Sequence, residues 1–212
     1  SSILRSINYL RKEVSYAKEK SFEIFKSRIS LTNSNYKKKL NFLKNNINNF
    51  SIDLISNTYE KNSDLRLVKK FLSNLKTYEP VWIEEILSLN NLNKFKIIKN
   101  KELKFSYGEN FNSISDFINL INLYKFDYIN PDISHLTITD LHRLIEYLKI
   151  NNLKKKIIFH CWGGSVNLYN TLSLATIFKK YVKLVEFPIT DFSLNNSFLN
   201  NSEIINSKYY FD

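Results

Sequence analysis

Short apolar runs and helix-length amphipathic stretches alternate along this chain. The runs at residues 22–29, 52–56, 81–84, 104–107, 128–130, 157–159 and 184–187 are rich in β-branched and aromatic side chains, the composition of buried parallel strands. Between them, residues 36–47, 63–75, 115–123, 139–148 and 168–181 repeat apolar positions at intervals of three and four. Leu65, Val68, Phe71, Leu72 and Leu75 form one such stripe. Ser115 and Thr139 stand where helix N-caps are expected. Alternating strand and helix predicts an α/β fold with a parallel sheet.

Each run carries a polar residue at or just past its end: Lys26 and Arg28, Asn57, Glu84, Glu109, Asp132, His160 and Glu186. From Arg28 onward the intervals between them are 29, 27, 25, 23, 28 and 26 residues, about what one strand, one helix and two loops consume in a (β/α) barrel. Parallel barrel strands aim their C-terminal ends at one mouth, so residues one unit apart in sequence are expected to converge there. The expectation is a single TIM-type barrel domain over 1–212. Only seven strands are countable, and the helix-like stretch 3–18 would follow a first strand that is not recognisable in the sequence, so the barrel is expected to lack that strand.

Composition narrows the partners. A net charge of +11 raises the question of nucleic acid. Lysine here accompanies abundant Asn, Ile, Leu and Phe, with 3 Gly and Ala only at Ala17 and Ala175, a skew better explained by an AT-rich genome than by a polyanionic partner. The runs Lys37-Lys38-Lys39 and Lys154-Lys155-Lys156 read as solvated faces. One cysteine excludes an internal disulfide framework and fits a cytoplasmic location. No stretch approaches the ~18 apolar residues of a membrane span. Neither nucleic acid nor membrane is expected as a partner, and 195–201, rich in Asn, reads as loop.

The strand-end residues form a chemical constellation. Asn57, Glu84 and Glu109 offer oxygen ligands for a hard divalent cation such as Mg²⁺. Asp132 and His160 could pair, the carboxylate holding Nδ1–H so that Nε2 acts as base or acid. Lys26 and Arg28, separated by Ser27, point to the same side of their strand, where a cation could hold a carboxylate. Plainer readings suit the remainder. His135 is expected in a loop and His142 on a helix surface; Trp82 reads as packing and Glu85 as a structural ion-pair member. Cys161 and Trp162 follow His160 directly and could line a pocket, but Cys161 has no second partner to mark it as a nucleophile. Gly163-Gly164 reads as a tight turn into a helix.

Trp82-Ile83-Glu84-Glu85, Tyr107-Gly108-Glu109-Asn110, Tyr128-Ile129-Asn130-Pro131-Asp132-Ile133 and His160-Cys161-Trp162 resemble the strand-end motifs of the enolase superfamily, in its mandelate racemase-like branch. The resemblance is strongest over 21–188. It implies that Asn57, Glu84 and Glu109 are the three Mg²⁺ ligands and that Asp132 with His160 is the catalytic dyad. Lys26 and Arg28 fall on the Lys-x-Lys motif, whose first member contacts the substrate carboxylate and whose second commonly acts as a base. Glu186 matches an acid that hydrogen-bonds the same carboxylate, and Trp162 would line the substrate pocket. The chemistry implied is abstraction of a proton α to a carboxylate, by a Lys or His base beside Mg²⁺.

Three departures shape the expected activity. Asn57 is neutral where the family usually has Asp, which weakens attraction for Mg²⁺. Arg28 stands in place of a basic Lys, and a guanidinium with a pKa above ~12 is a poor general base. His135-Leu136-Thr137 replaces a usual Gly pair, and the family's N-terminal capping domain is not in this sequence. With one good base, the expected activity is dehydration of a sugar acid. Racemisation or epimerisation of a 2-hydroxy acid is the alternative, as is a non-catalytic relative binding a carboxylate ligand or a partner. A homo-oligomer is compatible with the sequence.

Overall fold

The computed structural model describes residues 7–31, 35–54 and 64–188, together with the backbone of 203–205 and 208–210. The chain divides into two compact units, residues 1–105 with 201–212 and residues 106–200.

In the first unit α1 (Ile7–Glu19) leads into β1 (Phe25–Arg28). The strand begins later than the apolar run at 22 predicts, because Phe22 closes the helix. Its N–H donates to Ala17 O and that of Ser21 to Lys18 O, with Ser21 at φ 54, a Schellman end in which a hydrophobic residue seals the last turn. Then follow α2 (Tyr36–Asn46), β2 (Phe50–Asp53), α3 (Leu65–Leu75), a 3₁₀ turn (Lys76–Tyr78) and β3 (Ile83–Glu84). A second 3₁₀ segment (Leu89–Lys94) and the short α4 (Phe95–Ile98) fill a stretch where the sequence reading placed no helix.

β1, β2 and β3 are parallel and adjacent in chain order. Their register places Arg28 opposite Asp53, and Asp53 opposite Glu84. Behind the strands, Leu40, Leu43, Val68, Phe71, Leu72 and Leu75 are buried with Phe25, Phe50, Ile52 and Ile83. Four of the five residues of the stripe seen in the sequence thus bury their side chains. Asp64 caps α3 by accepting a hydrogen bond from the N–H of Arg66. An antiparallel pair, β8 (Glu203–Ile205) and β9 (Lys208–Tyr210), belongs to the same unit.

The second unit takes up most of β4 (Phe105–Tyr107), then α5 (Ile114–Asn122), β5 (Tyr128–Ile129), α6 (Ile138–Ile150), β6 (Ile157–Phe159), α7 (Ser165–Ile177) and β7 (Val182–Val185). These four strands are again parallel and in chain order, with a register shift between Ile157 and Ile158. Helices α5 and α6 bury Phe117, Leu120, Ile121, Leu141, Leu144, Ile145 and Leu148. Both caps lie two residues before the expected Ser115 and Thr139. Ser113 accepts from the N–H of Ser115, and Thr137 from that of Asp140; Thr137 has the extended backbone of an N-cap (φ −71, ψ 155). Among the described residues no helix is long and apolar enough to cross a membrane.

Candidate active site

Where each strand stops decides which side chains it presents at its carboxyl end. In the first unit β2 stops at Asp53, four residues before Asn57, which lies outside the described residues. Arg28, Asp53 and Glu84 form one lateral row across three strands. Arg28 Nε donates to Asp53 Oδ2 at 2.7 Å, and Lys26 Nζ to Glu84 Oε1 at 2.8 Å. Trp82, beyond its expected packing role, reaches Glu84 Oε2 with its indole N–H at 3.3 Å. Both carboxylates are fully buried, while Lys26 and Arg28 keep 18% and 16% of their side chains exposed.

Burial pushes the Asp53 carboxyl above its ordinary range; the Lys26 charge opposes the shift, the neighbouring Glu84 adds to it and Arg28 again opposes it. Its Oδ1 is buried with no hydrogen-bond partner. An orphaned buried carboxylate oxygen is costly, and a hard cation would satisfy it. Asp53 is the residue the sequence reading missed. Two signals point to it: the interval of 25 from Arg28 to Asp53 fits the series, and Phe50-Ser-Ile-Asp alternates.

In the second unit, Gly108 turns the chain out of β4 at φ +120; a Cβ there would lie 2.8 Å from Phe117 Cε1. Only glycine fits that corner, and it sets Glu109, also buried, directly beyond the strand. Asp132 and His160 extend the pairing of β5 and β6 as a parallel bridge, with the His160 N–H bonded to Pro131 O. This register brings His160 Nδ1 to 2.7 Å from Asp132 Oδ2. Ser134 donates both its N–H (2.8 Å) and its hydroxyl (2.6 Å) to Asp132 Oδ1.

Burial raises the Asp132 carboxyl, but the hydrogen bonds from His160 and Ser134 and the His160 charge outweigh it and hold the group well below the usual carboxylate range. An ionised Asp132 accepts Nδ1–H, which leaves Nε2 as the other working nitrogen. Nε2 lies 3.3 Å from Glu109 Oε2, and His160 is 7% exposed. His160 therefore sits between two carboxylates of its own unit, Asp132 at its Nδ1 and Glu109 at its Nε2.

The neighbours fill supporting places. Glu186 is half-buried just past β7, its N–H bonded to Phe159 O, and Trp162 is exposed. Cys161 is buried, and burial pushes its thiol up to about 12, so it stays un-ionised at neutral pH and is unsuited to nucleophilic attack. His135 lies in an exposed loop with Nδ1 3.0 Å from Glu109 O, and His142 lies on the surface of α6. Glu85 leaves the strand at φ 52 with its side chain buried.

Parallel strands in chain order, with carboxylates and one histidine at their carboxyl ends, define a (β/α)-barrel domain of a known class. Residues 45–209 match the family model described as enolase C-terminal domain-like, and the chain belongs to that family. No curated protein matches it. Among solved structures, it is similar to a member of the enolase superfamily from Agrobacterium tumefaciens, at 15% identity and a TM-score of 0.80, over 97% of this chain and 53% of the other. It is also similar to 3,6-anhydro-D-galactonate cycloisomerase from Zobellia galactanivorans (17%, TM-score 0.76, 94% and 56%). A third is L-talarate dehydratase from Polaromonas sp. JS666, complexed with Mg and L-glucarate (15%, TM-score 0.74, 99% and 56%). The fold is that of a TIM-type barrel domain, and the chain spans about half the length of these structures.

Proposed function

We infer that this chain carries the catalytic barrel of a lyase that removes water from a sugar acid. The observation that carries the reading is the buried Asp132–His160 pair, 2.7 Å apart, which leaves one histidine nitrogen directed away from its orienting carboxylate. His160 Nε2 takes the proton α to the substrate carboxylate, the electron pair moves into that carboxylate to give an enediolate, and the imidazolium returns its proton to the departing β-hydroxyl. Water leaves, and the enol product tautomerises to a 2-keto acid. Asp132 holds the tautomer and stabilises the imidazolium between these steps.

Asp53 and Glu84 are buried carboxylates at the ends of neighbouring strands of one unit, a donor pair suited to Mg²⁺, and the family resemblance implies Glu109 as the further ligand. In this reading Asp53 takes the place that sequence spacing gives to Asn57, so all three ligands are anionic. Mg²⁺ bound there would supply Lewis-acid stabilisation of the charge that develops on the substrate carboxylate. Lys26 and Glu186 are assigned to that carboxylate, and Trp162 to the pocket wall.

Racemisation or epimerisation needs a second proton donor and acceptor. Arg28 occupies the place a second base would have, and its guanidinium is committed to Asp53, which favours dehydration. A non-catalytic role loses part of its motivation once Asp53 replaces Asn57 as ligand. Screening a library of sugar acids with Mg²⁺ for 2-keto product tests the proposal. Product from at least one acid is expected, and rapid inversion of recovered substrate without product would favour the epimerase.

A further inference from the structure

Arg28 stands in the row of register partners Arg28, Asp53 and Glu84, where the family resemblance implies a basic lysine. Its Nε is bonded to Asp53 Oδ2 at 2.7 Å. The other oxygen of that fully buried carboxylate, Oδ1, has no hydrogen-bond partner. One oxygen of Asp53 thus meets a positive charge directly, and the other has no donor. A guanidinium carries its positive charge throughout the pH range in which proteins fold. The charge beside Asp53 is fixed.

We propose that Arg28 is a resident countercharge that sets the affinity of the Asp53–Glu84 carboxylates for a divalent cation, stabilising the metal-free protein and weakening the bound ion. The proposal rests on the reading of these carboxylates as Mg²⁺ ligands. Its physical basis is a balance. Without Arg28, the two buried carboxylates Asp53 and Glu84 share the single charge of Lys26, which is bonded to Glu84 at 2.8 Å, and the uncompensated remainder destabilises the fold. With Arg28 present, the incoming ion gains less, because it meets a like charge across a short, poorly screened distance.

The test uses the whole chain, calorimetric titration with Mg²⁺ and thermal melts with and without the ion. Arg28→Met removes the charge and keeps much of the aliphatic stem; Arg28→Gln removes the charge and keeps a hydrogen-bond donor for Asp53, and serves if the first variant does not fold. Either neutral variant is expected to melt lower than the wild type without Mg²⁺ and to bind Mg²⁺ at least about tenfold more tightly, roughly 1.4 kcal/mol. Much of the lost melting temperature should return in saturating Mg²⁺. Arg28→Lys should stay closer to the wild type in affinity. Equal or weaker binding by the neutral variants overturns the countercharge. If the wild type binds Mg²⁺ and Glu84→Gln abolishes it, the ligand assignment survives that outcome. If neither the wild type nor any Arg28 variant binds Mg²⁺, the ligand assignment itself has failed, and the countercharge with it.

Discussion

His160 Nδ1 lies 2.7 Å from Asp132 Oδ2, and Ser134 holds the other oxygen of the same carboxylate with two hydrogen bonds. Asp132 is buried, yet these donors keep its carboxyl well below the ordinary carboxylate range. A group with a depressed folded-state pKa contributes stability that is complete above its unfolded pKa and is lost as pH falls through the folded one. Asp132→Asn should therefore cost about 1–3 kcal/mol at neutral pH. The gap between wild type and variant should hold down to about pH 4 and shrink below it. Urea denaturation of both proteins between pH 2.5 and 7 reads this directly, and a gap that widens toward low pH would contradict it.

Gly108 sets the position of Glu109 through its backbone. Its φ of +120 is a conformation side chains rarely adopt, and an added methyl would meet Phe117 Cε1 at 2.8 Å and Leu120 Cδ1 at 3.3 Å. Gly108→Ala should lower stability by about 1–3 kcal/mol. If Glu109 is a Mg²⁺ ligand, the same change should weaken Mg²⁺ binding. An alanine variant as stable as the wild type would mean that the turn is less constrained than its geometry indicates.

Cys161 supplies a test of burial. With its thiol pushed up to about 12 and its side chain enclosed, it should resist iodoacetamide at pH 8 in the folded protein and react within minutes in guanidinium chloride. Mass spectrometry counts the added carbamidomethyl group. Rapid labelling of the folded chain would place Cys161 in a more open environment.

What the sequence reveals of this fold follows how local each feature is. The stripe of α3 is readable because helix burial repeats within a few residues, and Val68, Phe71, Leu72 and Leu75 bury together. Glu84, Glu109, Asp132 and His160 are readable because each stands at or just past a short apolar run and they recur at nearly regular intervals. Asp53 is hidden because the apolar residues Leu54 and Ile55 continue past it, so composition alone extends the strand. Its end is set by pairing with β1 and β3, a register between distant segments. The partner of Arg28 is hidden for the same reason. The caps Ser113 and Thr137 are displaced from expectation because hydroxyl residues stand at both candidate places, and only the backbone conformation chooses between them.

In the proposed reaction His160 moves the α-proton of a carboxylate substrate. The direct measurement is turnover in D₂O with Mg²⁺ across a sugar-acid library, followed by NMR, for the wild type and His160→Asn. The wild type is expected to give a 2-keto product carrying solvent deuterium, and a folded His160→Asn chain that still binds Mg²⁺ neither product nor exchange. A variant that matches the wild type in product and label, or a Mg²⁺-bound wild type that exchanges no α-proton in any acid tested, would contradict it.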